Sequence, residues 1–246
     1  RPGGVAVFVG AGGPMGQMHV QRAIELPGGP QTIIATEISD ERLETLRQSF
    51  EPLAAQHGRD FHLINPQNSD VSLYDLVMAL TDGQGADDVV VSVPHAPLMA
   101  EASTLLKDDG MLVFFAGVPN GTLAALDLSR VYLSNTQYTG TPGLTLDDQR
   151  QVMERAQEGS LSPERVVAAI GGLKAAREGL EALTEGRYPG KIVIFPQLPD
   201  LPLMGLDELK EKLPAVGEKL GPGDIWTQEA EEALFEELWS GNGDVR

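Results

Sequence analysis

No cysteine occurs in the 246 residues, which excludes disulfides, thiolate zinc sites and cysteine nucleophiles from this chain. Basic residues are scarce: 18 Lys and Arg stand against 36 Asp and Glu, a formal charge of -18 with a pI near 4.5. Such a charge repels phosphates at long range, so neither a nucleic-acid nor an anionic-membrane surface is expected. No apolar run reaches the roughly 18 residues of a membrane span, and no basic, apolar leader opens the chain, so a cytoplasmic protein is expected. The four histidines, His19, His57, His62 and His95, follow no metal-ligand spacing, and no metal site is expected among them. No Ser-His-Asp arrangement or carboxylate pair can be argued from spacing. Internal repeats and low-complexity segments are also lacking. The chain opens on Arg1, not Met, with a strand almost at once, from which an upstream portion is expected.

What is there is ordinary globular material, 41% hydrophobic and 22% charged, enough for one or two domains. It is organised around Val5 to Gly16, VAVFVGAGGPMG. An apolar β-branched run ends in four glycines, Gly10, Gly12, Gly13 and Gly16, and a helical pattern follows. A strand apolar on both faces belongs inside a parallel sheet covered by helices, and the turn after it sits at the carboxyl edge where such sheets bind ligands. The first glycines allow a tight turn and close approach to a pyrophosphate. The last lets the helix lie close on the strand with its first amides facing the anion. Gly10-Ala11-Gly12-Gly13-Pro14-Met15-Gly16 is one residue longer than the standard spacing, and an ordinary strand-to-helix turn is the alternative. Glu37 ends a second apolar strand, Gln31 to Ile38, a little beyond the usual interval, the insertion Leu26 to Pro30 accounting for the excess. A carboxylate there accepts both ribose hydroxyls of an adenosine; it also suits the start of the helix near Ser39, and the two roles can coexist.

The pattern then alternates. Helical spacing over Asp40 to Ala55, a strand Asp60 to Ile64, a helix Asp70 to Leu80, a strand Val89 to Val93, a helix Leu98 to Leu106, a break at Gly110 and a strand Met111 to Ala116 predict repeated β-α-β units. The fold class is α/β: a doubly wound parallel sheet with right-handed crossovers, a Rossmann nucleotide-binding fold, with a C-terminal helical extension. Tyr138 and Thr139 supply a sixth strand. From Leu146 the pattern changes: helices at Asp147 to Gly159 and Leu173 to Glu185, a last strand at Lys191 to Phe195, then a tail in which twelve acidic residues face four basic ones. Helices are predicted there at Asp207 to Leu213 and Thr227 to Trp239. The acidic run is a solvated face, and Ala230, Ala233, Leu234 and Leu238 form an apolar one that must pack on something. The expected organisation is a dinucleotide-binding domain at 1–145, a return segment with the final strand at 146–196, and an acidic extension at 197–246.

The succession GAGGPMG, TEISDERLETL, INPQNSDVSLYDLVMALTDGQGADDVVVSVP, LLKDDGMLVFFAGVP and LTEGRYPGKIVIFP resembles the medium-chain dehydrogenase/reductase family, in its zinc-type alcohol and polyol dehydrogenase branch, over Arg1 to about Pro196. The extra glycine in the turn and Trp226-Thr227-Gln228-Glu229-Ala230 in the tail resemble its sorbose-1-phosphate-reductase-like subgroup. The resemblance implies that Gly12, Gly13, Pro14, Met15 and Gly16 hold the pyrophosphate, that Glu37 binds the ribose, and that Ile38 flanks the adenine. It implies that Ser92, Val93 and Pro94, Val118 and Pro119, and Thr139, Gly140 and Thr141 line the nicotinamide side. Lys191 falls where the family places a basic residue on the pyrophosphate, or is a solvent lysine opening a strand.

Members of this branch carry the catalytic zinc on an N-terminal barrel-like domain that is absent from this chain. No catalytic residue is therefore assigned. His95, after Ser92-Val93-Pro94, is read as a bystander. The implied activity is hydride transfer between an alcohol carbon of a sugar-type or other small alcohol substrate and NAD, preferred over NADP, with zinc supplied only by the absent domain. A fragment with this content is expected to be inactive by itself, and a homo-oligomer is expected through the edge strand near Tyr138. The alternatives are a non-catalytic NAD(H)-binding sensor or scaffold and, more distantly, a methyltransferase. The latter would end its sheet in an antiparallel hairpin.

Overall fold

The computed structural model describes residues 1–141 and 143–239. They fall into two compact units, Arg1–Leu161 and a second beginning at Ser162. The acidic extension expected at 197–246 is thus described as far as Trp239, its last seven residues lying outside the described ones.

The first unit is built on strands β1 (Val5–Val9), β2 (Thr32–Thr36), β3 (Asp60–Ile64), β4 (Ala86–Val91), β5 (Leu106–Phe114) and β6 (Gln137–Thr139). All pair in parallel, in the order β3-β2-β1-β4-β5-β6. Between them run α1 (Pro14–Glu25), α2 (Asp40–Gln56), α3 (Leu73–Leu80), α4 (Ala96–Ser103) and α5 (Ser129–Leu133), and α6 (Leu146–Gln157) follows. The period-2 alternation of β1 separates two cores. Ala6 and Phe8 pack with Val20 and Ile24 of α1 and Leu46 and Phe50 of α2, while Val7 and Val9 pack with Val77 of α3 and Met99 and Ala102 of α4. Helices therefore cover both faces, as an apolar parallel strand requires. The doubly wound sheet is the expected fold.

Several boundaries differ from the sequence reading: β4 runs Ala86–Val91 rather than Val89 to Val93, α3 starts at Leu73 rather than Asp70, and the helices expected at Leu173 to Glu185 and Asp207 to Leu213 open with 3-10 turns, the second ending at Lys212. Helix α4 stops at Ser103, and β5 starts at Leu106, where a Leu106–Met111 helix-to-strand break was expected. Leu106 pairs with Ala86 before a register shift that brings Asp88 against Met111. Lys-Asp-Asp-Gly reads as a turn, and it is one, with Asp109 at φ 60, but the turn is bulged out of a strand that has already begun.

In the second unit a three-stranded sheet has the order β8-β7-β9, from β7 (Val167–Gly172), β8 (Lys191–Phe195) and β9 (Met204–Gly205). Strand β8 is parallel to β7 and β9 antiparallel to it. Helix α7 (Ala176–Glu185) ends at Gly186 in the left-handed conformation, φ 65. Short helices α8 (Leu209–Lys212) and α9 (Pro214–Gly217) lead to α10 (Gln228–Leu238), capped by the Thr227 hydroxyl. The apolar face of the tail has its partner here: Trp226, Ala230 and Leu234 are buried with Ile170, Phe195 and Leu209, and Phe235 meets Phe195 edge to face at 5.5 Å.

Candidate functional site

Every strand of the six-stranded sheet ends on the same edge, and the order reverses between β1 and β4. In parallel α/β sheets that switch point, outside the carboxyl ends of the strands, is where ligands bind. The residues after β1 are Gly10 to Gly16, after β2 Glu37 and Ile38, after β4 Ser92, Val93 and Pro94, after β5 Val118 and Pro119, and after β6 Gly140 and Thr141, with Thr139 closing the strand. All sixteen expected site residues of this unit thus lie along one edge. Lys191 opens β8 in the second unit.

Each glycine of the turn has a separate reason. Gly10 has φ 77, and a Cβ there would overlap the side chain of Val93, so the loops after β1 and β4 meet at this point. Ser92 N–H donates to the Val9 carbonyl at 2.9 Å and holds the two loops together. A Cβ on Gly12 would overlap the carboxylate of Glu37. At Gly16 it would come within 2.6 Å of the Ala11 Cα and 2.7 Å of the Gly10 carbonyl oxygen, so α1 rests on the turn as the sequence indicated. Around Gly13 the space is open. Gly12 was expected to serve approach of a pyrophosphate. Its first neighbour in the fold is Glu37.

Glu37 is buried, with 7% of its surface exposed. One carboxylate oxygen accepts the amides of Ile38, at 2.8 Å, and Ser39, at 3.0 Å; the other faces Gly12. The side chain is thereby fixed under the glycine turn, beside the start of α2, while Ile38 is more than half exposed. Asn65 steadies the same corner by donating to the Ile38 carbonyl and to Asp40.

Helices α2, α3 and α6 begin with Ser39, Ser72 and Thr145, whose hydroxyls accept from their first turns. Helix α1 begins with Gly13 and Pro14 and has no side-chain cap. No hydrogen bond from the amides of Gly12 and Gly13 is made among the described residues. The open space at Gly13, its unbonded amide and an uncapped helix end suit an anion, with a carboxylate beside them suited to a diol. The residues fit a dinucleotide. They do not offer a metal site: among the described residues no group of three His, Asp or Glu could hold one.

Two residues that the sequence reading did not single out shape the turn. Thr36, at the end of β2, accepts the Gly10 amide on its hydroxyl at 3.2 Å and the Ala11 amide on its carbonyl at 2.8 Å. Gln17, 5% exposed, donates from its side-chain amide to the Gly12 carbonyl at 2.9 Å. The available signal was a polar residue on the apolar face of α1, since Gln17 and Gln21 share it with Val20 and Ile24. His95 is exposed at the start of α4, with no cap hydrogen bond from its side chain.

Residues 14–158 match the family model described as zinc-binding dehydrogenase. The chain belongs to that family. The chain is 32% identical to the mannitol-1-phosphate 5-dehydrogenase of Aliivibrio fischeri over 248 aligned residues, covering 96% of this chain and 57% of that protein. It is also 32% identical to the L-sorbose 1-phosphate reductase of Klebsiella pneumoniae, covering 96% of this chain and 55% of that one. The alcohol dehydrogenase of Thermus sp. ATN1 superposes with a TM-score of 0.61 at 26% identity, over 79% of this chain and 53% of that one. The chain thus spans a little over half the length of the curated dehydrogenase relatives it matches.

Proposed function

We propose that the chain binds NAD within a dehydrogenase or reductase that acts on the CH–OH group of a polyol or sugar phosphate. The observation that carries this is the turn at the switch point, with its unbonded amides and with Glu37 locked beneath Gly12. The Gly12–Gly16 turn receives the pyrophosphate and Glu37 the adenosine ribose, with Ile38 beside the adenine. Ser92, Val93, Pro94, Val118, Pro119 and Thr139 to Thr141 line the nicotinamide end; residues 1–145 are the dinucleotide-binding part. Bound nicotinamide supplies the hydride acceptor or donor. The share of this chain is to hold and orient it, which lowers the barrier by positioning. Among the described residues no side-chain group could hold a zinc that polarises the substrate oxygen. The substrate class rests on the names of the two sugar-phosphate relatives.

Cytoplasmic placement and a homo-oligomer complete the reading. Among the described residues no helix is long and apolar enough to cross a membrane. Beside the edge strand β6, helix α5 and its flank expose Leu128, Tyr132 at 90% and Leu133, which supports association of copies through that edge. Sedimentation of the full-length protein as a dimer or larger is expected, and a monomer at high concentration would overturn it.

The cofactor choice is testable at Glu37. A 2′-phosphate set beside this fixed carboxylate meets its charge at short range, and Arg42, exposed on α2, is the one basic residue near in sequence. NAD should bind more tightly than NADP by about one to three kcal/mol. Glu37→Ala should weaken NAD and improve NADP together. Calorimetric titration of both cofactors decides it: equal or stronger NADP binding by the wild type would show that Glu37 has another role.

A further inference from the structure

The glycine turn contains one peptide whose orientation its own chain leaves open. The unit between Gly12 and Gly13 is flanked by two residues without side chains, and rotating that peptide plane meets little resistance from either neighbour. A trans peptide points its carbonyl and its N–H in opposite directions. In one orientation the Gly13 amide therefore faces the open side and the Gly12 carbonyl faces the protein; in the other the carbonyl oxygen, a negative dipole end, faces outward. The first would attract a pyrophosphate and the second would repel it.

The structure holds the first orientation through a side chain. Gln17 is the first residue of α1 whose own backbone amide is bonded within the helix, to the Gly13 carbonyl at 2.9 Å. Its side-chain amide turns back and donates to the Gly12 carbonyl, also at 2.9 Å. Both carbonyls of the double glycine are thus drawn inward by one buried residue. On the strand side Thr36 ties the Gly10 and Ala11 amides, so the turn is braced at both ends while the Gly12 and Gly13 amides make no hydrogen bond among the described residues.

We infer that Gln17 is a positioning residue for the dinucleotide: its side-chain amide locks the Gly12–Gly13 peptide with the Gly13 N–H outward, and so presets the pyrophosphate cradle before any ligand arrives. The inference rests on the proposed dinucleotide reading. It differs from a packing role in one respect that can be measured. A packing defect loosens the whole carboxyl edge and weakens every ligand there. Loss of the latch weakens only ligands that carry the pyrophosphate.

The test uses Gln17→Met, which keeps the length of the side chain and removes the donor, and Gln17→Asn, which keeps the amide but withdraws it by one methylene. NADH, ADP and adenosine are titrated into wild type and both variants, adenosine by NMR. In both variants NADH and ADP should bind about ten-fold more weakly, the scale of one well-placed hydrogen bond, with adenosine changed by less than about two-fold. Unchanged NADH affinity in either folded variant overturns the latch, as does an equal loss for adenosine. Should the wild type bind ADP no more tightly than adenosine, the cradle itself is misplaced and the latch falls with it. A wild type that binds none of the three removes the dinucleotide reading instead, a distinguishable result.

Discussion

The two edges of the six-stranded sheet are made from the same strands and finished in opposite ways. At the amino edge, three charged side chains are satisfied from within. Asp87, 4% exposed, accepts the Val5 amide at 2.8 Å and pairs with Lys107 at 2.5 Å. The Arg59 guanidinium gathers the carbonyls of Ile24, Leu26 and Gly29 where α1 ends, and Arg130 takes those of Ser103 and Leu106. The carboxyl edge has a glycine turn with unbonded amides, an uncapped helix and the exposed residues Ile38, Pro94, Val118 and Pro119. One edge is closed by the chain itself; the other keeps donors for something else. If the carboxyl edge binds the proposed dinucleotide, stability and binding are each expected to be removable without the other.

The largest effect should come from Gly12→Val. Its side chain would displace the Glu37 carboxylate, which the Ile38 and Ser39 amides hold in place, and would fill the mouth of the turn. NADH affinity should fall by more than about a hundred-fold, or about 2.7 kcal/mol, in a protein that still folds cooperatively but with a lowered midpoint of unfolding. Retained affinity in a folded Gly12→Val protein would mean that the ligand does not pass this turn.

The converse variant is Asp87→Ala at the amino edge. It strands Lys107 and the Val5 amide, partners that are partly buried, and should cost about 2 to 3 kcal/mol of unfolding free energy. NADH affinity should stay within about two-fold. Burial opposes ionisation of Asp87, but hydrogen bonds from Lys107 and the Val5 amide and the Lys107 charge outweigh it and hold the carboxyl below its ordinary range. A carboxyl depressed in the folded state adds stability above its unfolded pKa, and that stability is lost as pH falls through the folded value. Urea titrations should therefore show the wild-type advantage over Asp87→Ala at neutral pH and its disappearance in strong acid. A variant that lost NADH binding along with stability would join the two edges that the comparison separates.

The sequence made the shape of the carboxyl edge legible because such a turn is written in residue types of low propensity for strand or helix. Glycines where a strand should continue, and an acid closing the next strand, are local signals, and the sheet followed from apolar runs spaced by helical patterns. Contacts made across the fold left weaker traces. Thr36 and Gln17 look like ordinary members of a strand and a helix, and their hydrogen bonds to the turn exist only once β1, β2 and α1 are assembled. Strand β7 was not anticipated at all. Its sequence, VAAIGG, has two alanines and two glycines, and it is a strand because β8 and β9 flank it. A Cβ on Gly172 would overlap the Leu198 carbonyl, so the small residues make room for the chain that follows β8. The early start of β5 was hidden for a related reason: Lys107 reads as part of a turn, and only the fold shows that the bulge delivers it to Asp87.

The smallest effect concerns His19, where α1 packs beside the end of β5. Its ring stands edge to face on Phe115 at 4.4 Å and stacks near Phe8 at 6.4 Å. Its Nε2 is buried with no hydrogen-bond partner among the described residues, and burial lowers its pKa. The sign is opposite to that of a histidine gaining an acidic partner: the unfolded chain takes up a proton near the ordinary value while the folded one does not. Stability is therefore complete above that value and declines as pH falls below it, with a slope of at most about 1.4 kcal/mol per pH unit, levelling once the folded imidazole is protonated too. Asp87 acts in a more acidic range, so the two edges are expected to fail at separate pH. His19→Phe keeps an aromatic ring and removes the titration. It should match the wild type to within about 0.5 kcal/mol at pH 8 and exceed it by about 1 kcal/mol at pH 5.5. Denaturant titrations at both pH values measure the difference, and a gap that does not change between them would show that the imidazole is solvated or paired in solution.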